Sequence, residues 1–192
     1  MATKPGERKQ QILETLANML ESPKREKITT AALAAKLGVS EAALYRHFAG
    51  KAQMFEGLIE FIEQSLFGLI NKITGEEQDG LKQVRRILTV MLLFAEKNPG
   101  MTRVLIGDAL VNENERLQAR INQLFDRIES TLKQSLRIGE VQHSRKLDPE
   151  SQANMLLCFV IGRWHQFANS GFKRKPTEYV QQQLTLLYGL EE

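Results

Sequence analysis

Ala42, Tyr45, Arg46 and His47 stand in the run SEAALYRHF, residues 40–48, whose apolar members Leu44 and Phe48 lie four apart. At about 100° per residue, Ala42 and Arg46 point away from the Leu44/Phe48 stripe, with Tyr45 on one flank and His47 on the other. A slim, lightly basic helix tip carrying alanine is what a DNA major groove admits. Alanine can touch a thymine methyl, and arginine can pair with guanine or with a phosphate. The competing reading is a plain corner between two helices, which any helical protein can contain.

Such a tip needs a second helix to hold it, and TTAALAAKL, residues 29–37, supplies one. Thr29 or Thr30 can cap its first turn, since a hydroxyl accepts a bond from an otherwise unpaired N–H. Leu33 and Leu37 make its apolar stripe. Gly38 follows, where a left-handed residue ends a helix without a Cβ clash. Ser40 can cap the second helix, Ala34 lets the two cross closely, and Val39 fills the corner. A helix over 7–20 precedes the pair, burying Ile12, Leu16 and Met19 or Leu20. Lys4 on an N-terminal arm and the charged loop 24–27 are solvated or, near DNA, available to phosphates.

Charge is distributed as a polyanion-binding surface requires. The 192 residues carry 26 Lys+Arg against 23 Asp+Glu, a net +3. Residues 1–51 hold 9 of the cations and 5 of the acids, so the excess positive charge lies entirely around the helix pair. A hydrophobic content of 42% is enough for a folded core. One cysteine, Cys158, permits no intrachain disulfide and offers no metal-ligand set; its apolar surroundings predict a buried thiol. The opening residues have no leader-like pattern, and the longest apolar run, 155–162, is too short to cross a bilayer. A cytoplasmic protein is expected.

Beyond residue 50 every segment reads as helix. A long one from Lys51 to about residue 73 carries the stripe Phe55, Leu58, Ile62, Leu66, Leu69 and Ile73, leaving Ile59 and Phe61 off it. At 1.5 Å per residue it spans about 34 Å. Helices follow over 79–97, over 98–106 after Asn98-Pro99-Gly100, and over 112–137, where Asn112 and Glu115 have capping-box spacing. Residues 150–169, opened by Asp148-Pro149, are apolar on nearly all faces, which calls for burial on more than one side. A last helix starts at Thr177. The fold class is all-α: a three-helix helix-turn-helix head over 1–50 and a helical body over 51–192. No nucleophile–base pair, metal spacing or phosphate-binding glycine loop is visible, and neither enzymatic activity nor a cofactor is expected. His143 falls in a loop, His165 on the apolar helix, and Glu76, Glu77 and Asp79 in a solvated acidic loop.

The run GVSEAALYRHF, followed by Lys51 and the apolar helix from Met54, resembles the N-terminal DNA-binding domain of the TetR family. ITTAALA, LIEFIEQSL, EKNPGMTR, RINQLFDRIE and FKRKPT resemble, in order, segments of the nucleoid-occlusion members of that family. The resemblance implies a homodimer that binds palindromic sites on double-stranded DNA, associates with the nucleoid and antagonises FtsZ, a tubulin-like GTPase. It implies phosphate contacts from Tyr45 and Lys51. With the residues above, the expected DNA-binding set is Thr29, Thr30, Ser40, Glu41, Ala42, Tyr45, Arg46, His47 and Lys51. It also implies a dimer interface on the last two helices, assigned to Leu157, Ile161, Trp164, Leu184 and Leu187. FtsZ is expected at Phe61, Lys97 and Asn98. There are departures from the pattern: Ala32, Ala49-Gly50 and Ala52-Gln53 in the head, Leu69 in place of an arginine, and Asp108 in place of a histidine. The alternative is a TetR-type repressor released from DNA by a small apolar effector, with Phe67, Met91 and Phe94 lining its cavity.

Overall fold

The structure, a computed structural model, describes residues 5–22, 28–144, 146 and 148–188. Lys4, the loop 24–27 and Leu190 lie outside the described residues. Nine α-helices are described: α1 (Pro5–Leu20), α2 (Thr30–Leu37), α3 (Glu41–Tyr45), α4 (Lys51–Glu76), α5 (Gly80–Lys97), α6 (Pro99–Leu105), α7 (Glu115–Gln142), α8 (Pro149–Asn169) and α9 (Val180–Tyr188), with a 3-10 turn at Asp108–Leu110. The described residues contain no strand, and no helix among them is long and apolar enough to cross a membrane.

The helices form two compact units. The first contains the chain up to Ile62 together with Asn98–Ile121. It therefore holds α1–α3, the start of α4, α6 and the start of α7. Its core is Ile12, Leu16, Leu20, Leu33, Leu44, Phe48, Phe55 and Leu58, joined by Val104 and Leu105 from α6. Helix α6 packs on α1. Gly100 makes the approach possible, since a Cβ there would stand 2.0 Å from the Ala17 carbonyl oxygen.

The second unit contains Glu63–Lys97 and the chain from Asn122 onward. Trp164 is fully buried at its centre. Its indole N–H donates to the Met91 carbonyl at 3.3 Å, and its ring lies 6.1 Å from that of Phe125. Gln83, buried on α5, accepts a bond from Ser135 Oγ at 2.7 Å and donates to the Glu77 carbonyl at 2.7 Å. A buried amide is thus satisfied on both of its ends.

Several expectations are corrected here. Leu69 is 44% exposed and Ile70 takes the inward position, while Ile59 is fully buried. Asn112 does not open α7: it adopts φ 63°, and Asn114 accepts from the Arg116 N–H at 3.1 Å in its place. Cys158 is exposed rather than buried. Helix α8 is apolar on nearly all faces, yet its own chain does not cover all of them: Met155, Cys158, Gly162 and His165 share an open face. Trp164, Leu157 and Leu184, assigned to a face between two copies, are buried against their own chain. Hydrophobic residues at helical spacing satisfy the core before any partner, and one chain suffices for these three.

Candidate nucleic-acid interface

The helix pair is fixed by caps at both ends. Thr29, with φ −109° and ψ 155°, accepts from the Ala32 N–H at 3.1 Å, so Thr29 rather than Thr30 is the cap of α2. Gly38 ends α2 at φ 67°, the left-handed region a Cβ would strain, and the Val39 N–H returns to the Ala34 carbonyl at 3.0 Å. Ser40 caps α3 through the Ala43 N–H at 3.3 Å. Leu44 and Phe48 are buried, which turns Ala42, Tyr45 and Arg46 to solvent together, with His47 half-buried beside them. Tyr45, at 48% exposed, is a large aromatic surface left open beside a guanidinium.

Thr30 has a different task from capping. Its hydroxyl donates to Glu41 Oε2 at 2.6 Å, and the Tyr45 hydroxyl lies 3.5 Å from the same Thr30 oxygen. The chain Tyr45–Thr30–Glu41 ties the start of α2 to α3 and anchors the one carboxylate among the expected DNA-facing residues. The acid also sits in the first turn of α3, where a negative charge is favourable. Thr30 and Glu41 therefore orient the tip, while Ala42, Tyr45 and Arg46 present it.

Lys51, at the first position of α4, is held differently from what a free phosphate-gripping lysine would show. Its ammonium contacts the Glu113 carboxylate and lies 5.6 Å from the centre of the Phe55 ring. Both side chains of the pair are mostly buried, Lys51 at 20% and Glu113 at 12% exposed. A second tie lies nearby, Arg116 Nε to Glu56 Oε1 at 2.6 Å, with Arg120 donating to the Glu56 carbonyl at 3.3 Å. Leu20, Phe55, Lys51, Arg103, Asp108 and Glu113 surround a cavity of about 210 Å³. Glu113 is absent from the expected site. It stands 62 residues from Lys51 in the chain, and no local spacing announces such a pair.

Of the residues assigned to a protein partner, Phe61 is 45% exposed on α4, Lys97 is exposed at the end of α5, and Asn98 is half-buried ahead of α6. Among those assigned to a second copy, only Ile161 and Leu187 retain partial exposure.

Comparison with known proteins places the chain in a family. Residues 26–58 match the model described as bacterial regulatory proteins, tetR family, and residues 78–190 match the SlmA-like model described as tetracyclin repressor-like, C-terminal domain. The nucleoid occlusion factor SlmA of Alteromonas mediterranea is 54% identical over 184 residues, covering 95% of this chain and 94% of the relative. That of Shewanella halifaxensis is 53% identical over 190 residues, covering 97% and 96%. Among solved structures, the fatty acid degradation regulator FadR of Bacillus halodurans superposes with a TM-score of 0.77 at 17% identity, covering 98% of this chain and 97% of that one, a likeness of fold. With caps, turn and exposed tip all in place on a head of this kind, the chain belongs to the TetR family, in the branch of the nucleoid occlusion factor SlmA, and its first unit carries a TetR-type DNA-binding domain.

Proposed function

We propose that this protein is a nucleoid occlusion factor: a homodimer that binds palindromic chromosomal sites through α3 and, once bound, antagonises FtsZ assembly. The observation that carries this reading is identity above 50% to named nucleoid occlusion factors along nearly the whole chain, head and body alike. A shared head alone would support only DNA binding. Ala42 and Arg46 read bases, Tyr45 grips the backbone, and Lys51 meets a phosphate at the foot of α4. Two copies present two heads to half-sites about one helical turn apart. The open face of α8, with Met155, Gly162 and His165 around the half-buried Ile161, is the surface through which the copies meet, continued by Leu187 on α9.

FtsZ is met at Phe61 on α4, at Lys97 closing α5 and at Asn98. Exposed aromatic surface on a helix whose opposite face is core favours a protein partner, and a terminal lysine suits an acidic one. Leu69, where the resemblance has an arginine, removes a cation from this part of the surface. It lines, with Ile73, Val90, Thr89, Gln181, Lys72, Arg85 and Arg86, a groove of about 500 Å³. The alternative, a repressor released by a small apolar effector lined by Phe67, Met91 and Phe94, rests on no observation of its own: burial of Met91 and Phe94 is common to a cavity lining and to plain core.

Selection of duplexes from a random pool by the purified protein tests the DNA half of this reading. An inverted repeat bound by two chains is expected. Recovery of unrelated sequences, bound no more tightly than random duplex, would remove it.

A further inference from the structure

We propose that Glu113 is a built-in counter-ion for Lys51, which DNA must displace, so that this carboxylate sets the strength and salt dependence of DNA binding. The proposal rests on the reading of Lys51 as a phosphate contact. Its observation is the contact between the Lys51 ammonium and the Glu113 carboxylate, in a pair where both side chains are at least four-fifths buried.

The loop that carries Glu113 is built to aim it. After α6, Gly107 turns the chain at φ 78°, the 3-10 turn Asp108–Leu110 follows, and Asn112 turns it again at φ 63°. The Glu113 N–H then donates to the Leu110 carbonyl at 2.9 Å, closing the loop on itself. Asparagine tolerates the left-handed conformation better than most residues with a Cβ. Two consecutive left-handed turns thus place an acid on the first residue of α4. Arg116 and Arg120, bonded to the Glu56 carboxylate and carbonyl, pin the start of α7 to the same stretch of α4. Glu113 is therefore held against Lys51 by backbone geometry and by neighbouring contacts.

A lysine already neutralised by a protein carboxylate gains little from exchanging it for a phosphate. The phosphate sheds a condensed cation while Glu113, left without its lysine, takes one up or keeps half the ammonium. The net number of ions released is near zero. A free lysine in the same place would contribute about 0.9 to the salt slope. This protein's head is thereby held below the affinity its sequence permits, and any event that draws Glu113 away from α4 would tighten its grip on DNA. The residues that hold Glu113 lie in the loop between α6 and α7, away from the base-reading tip.

The experiment is fluorescence anisotropy of the full chain with one selected duplex across a salt series, for wild type, Glu113→Gln, Glu113→Asp, Lys51→Ala and the Glu113→Gln/Lys51→Ala double variant, with thermal melts of each. Glu113→Gln should bind roughly five- to tenfold tighter near 0.1 M salt, with a slope steeper by about one. Lys51→Ala should leave the wild-type slope nearly unchanged and cancel the gain in the double variant. Glu113→Asp, with a carboxylate one methylene shorter, should fall between wild type and Glu113→Gln, and decides the matter alone should the glutamine variant fail to fold. Weaker binding by Glu113→Gln, or an unchanged slope in both Glu113 variants, overturns the proposal. Arg46→Ala is the control for the underlying reading: if it weakens binding while the Glu113 variants do nothing, only the counter-ion role fails. Should wild type ignore duplex DNA altogether, both fall.

Discussion

Arg46 leaves α3 on the side opposite Leu44 and Phe48, so its guanidinium can be removed without touching the core. Arg46→Ala should cost about 1–3 kcal/mol of binding to the selected duplex, the worth of a good pair with guanine, and should leave the melting temperature unchanged. Anisotropy titrations against the selected and a scrambled duplex check this; equal losses on both would make Arg46 a phosphate contact instead. Positions such as Ala42 and Arg46 are legible from sequence because one helix of known phase determines them. Lys51 is not. A lysine opening a helix reads as a free cation, and nothing within four residues of it contradicts that. Its true state depends on Glu113, brought up by a loop with two left-handed residues that only folding reveals. Trp164 shows the same limit from the other side. Its spacing on α8 announces burial, yet whether its own chain or a second copy buries it depends on Met91 and Phe125, contributed by other helices.

Elements whose ends carry strong chemical signals were readable to within a few residues: α2 from Thr29 to Gly38, α3 from Ser40, and α8 from Asp148, whose side chain accepts from the Ser151 N–H. The start of α7 was not, since Asn112 and Asn114 offer the same cap chemistry two residues apart and the fold uses Asn112 for a turn. Two predictions belong at this scale. Gly100→Ala should force α6 off α1 and destabilise the first unit by about 1–3 kcal/mol, as overpacking does, seen as a lower urea midpoint; an unchanged midpoint would mean that α1 and α6 part without cost. The second concerns the segment before α9. The Thr177 hydroxyl, followed by Lys175 at 3.1 Å, stabilises the ionised Glu96 of α5 and holds its pKa below the ordinary value against the effect of burial. A group with a depressed folded pKa contributes its full stability above the unfolded value, near 4.3 for glutamate, and loses it as pH falls through the folded value. Thr177→Val should therefore unfold at lower urea than wild type at pH 7, with the two midpoints converging as the pH drops below the carboxylate range. Parallel curves at every pH would mean that the threonine matters only for packing.

At the scale of the whole molecule, the all-α class and a DNA-reading head follow from patterning, because helix period, caps and charge asymmetry agree with one another. The two compact units were not legible, since α4 and α7 each run through residues assigned to both and helix period carries no mark where one unit ends. Mutation can separate core from the proposed interface between two copies. Trp164→Ala should lower chain stability by about 3–5 kcal/mol through the cavity it leaves, whereas Met155→Asp on the open face of α8 should leave the fold intact and shift sedimentation towards monomer. A Met155→Asp variant that sediments as an unchanged dimer would place the interface elsewhere.

The proposed function requires that DNA-bound protein act on FtsZ, and sedimentation of GTP-assembled FtsZ measures that directly. Purified wild type, with a duplex carrying its selected palindrome, should reduce the pelleted FtsZ polymer, and a scrambled duplex should do so less. Phe61→Ala and Lys97→Glu should bind the palindrome normally and leave the polymer in the pellet. An undiminished pellet with wild-type protein on its own palindrome, together with release from that DNA by a small apolar compound, would contradict the reading and make the protein a ligand-controlled repressor.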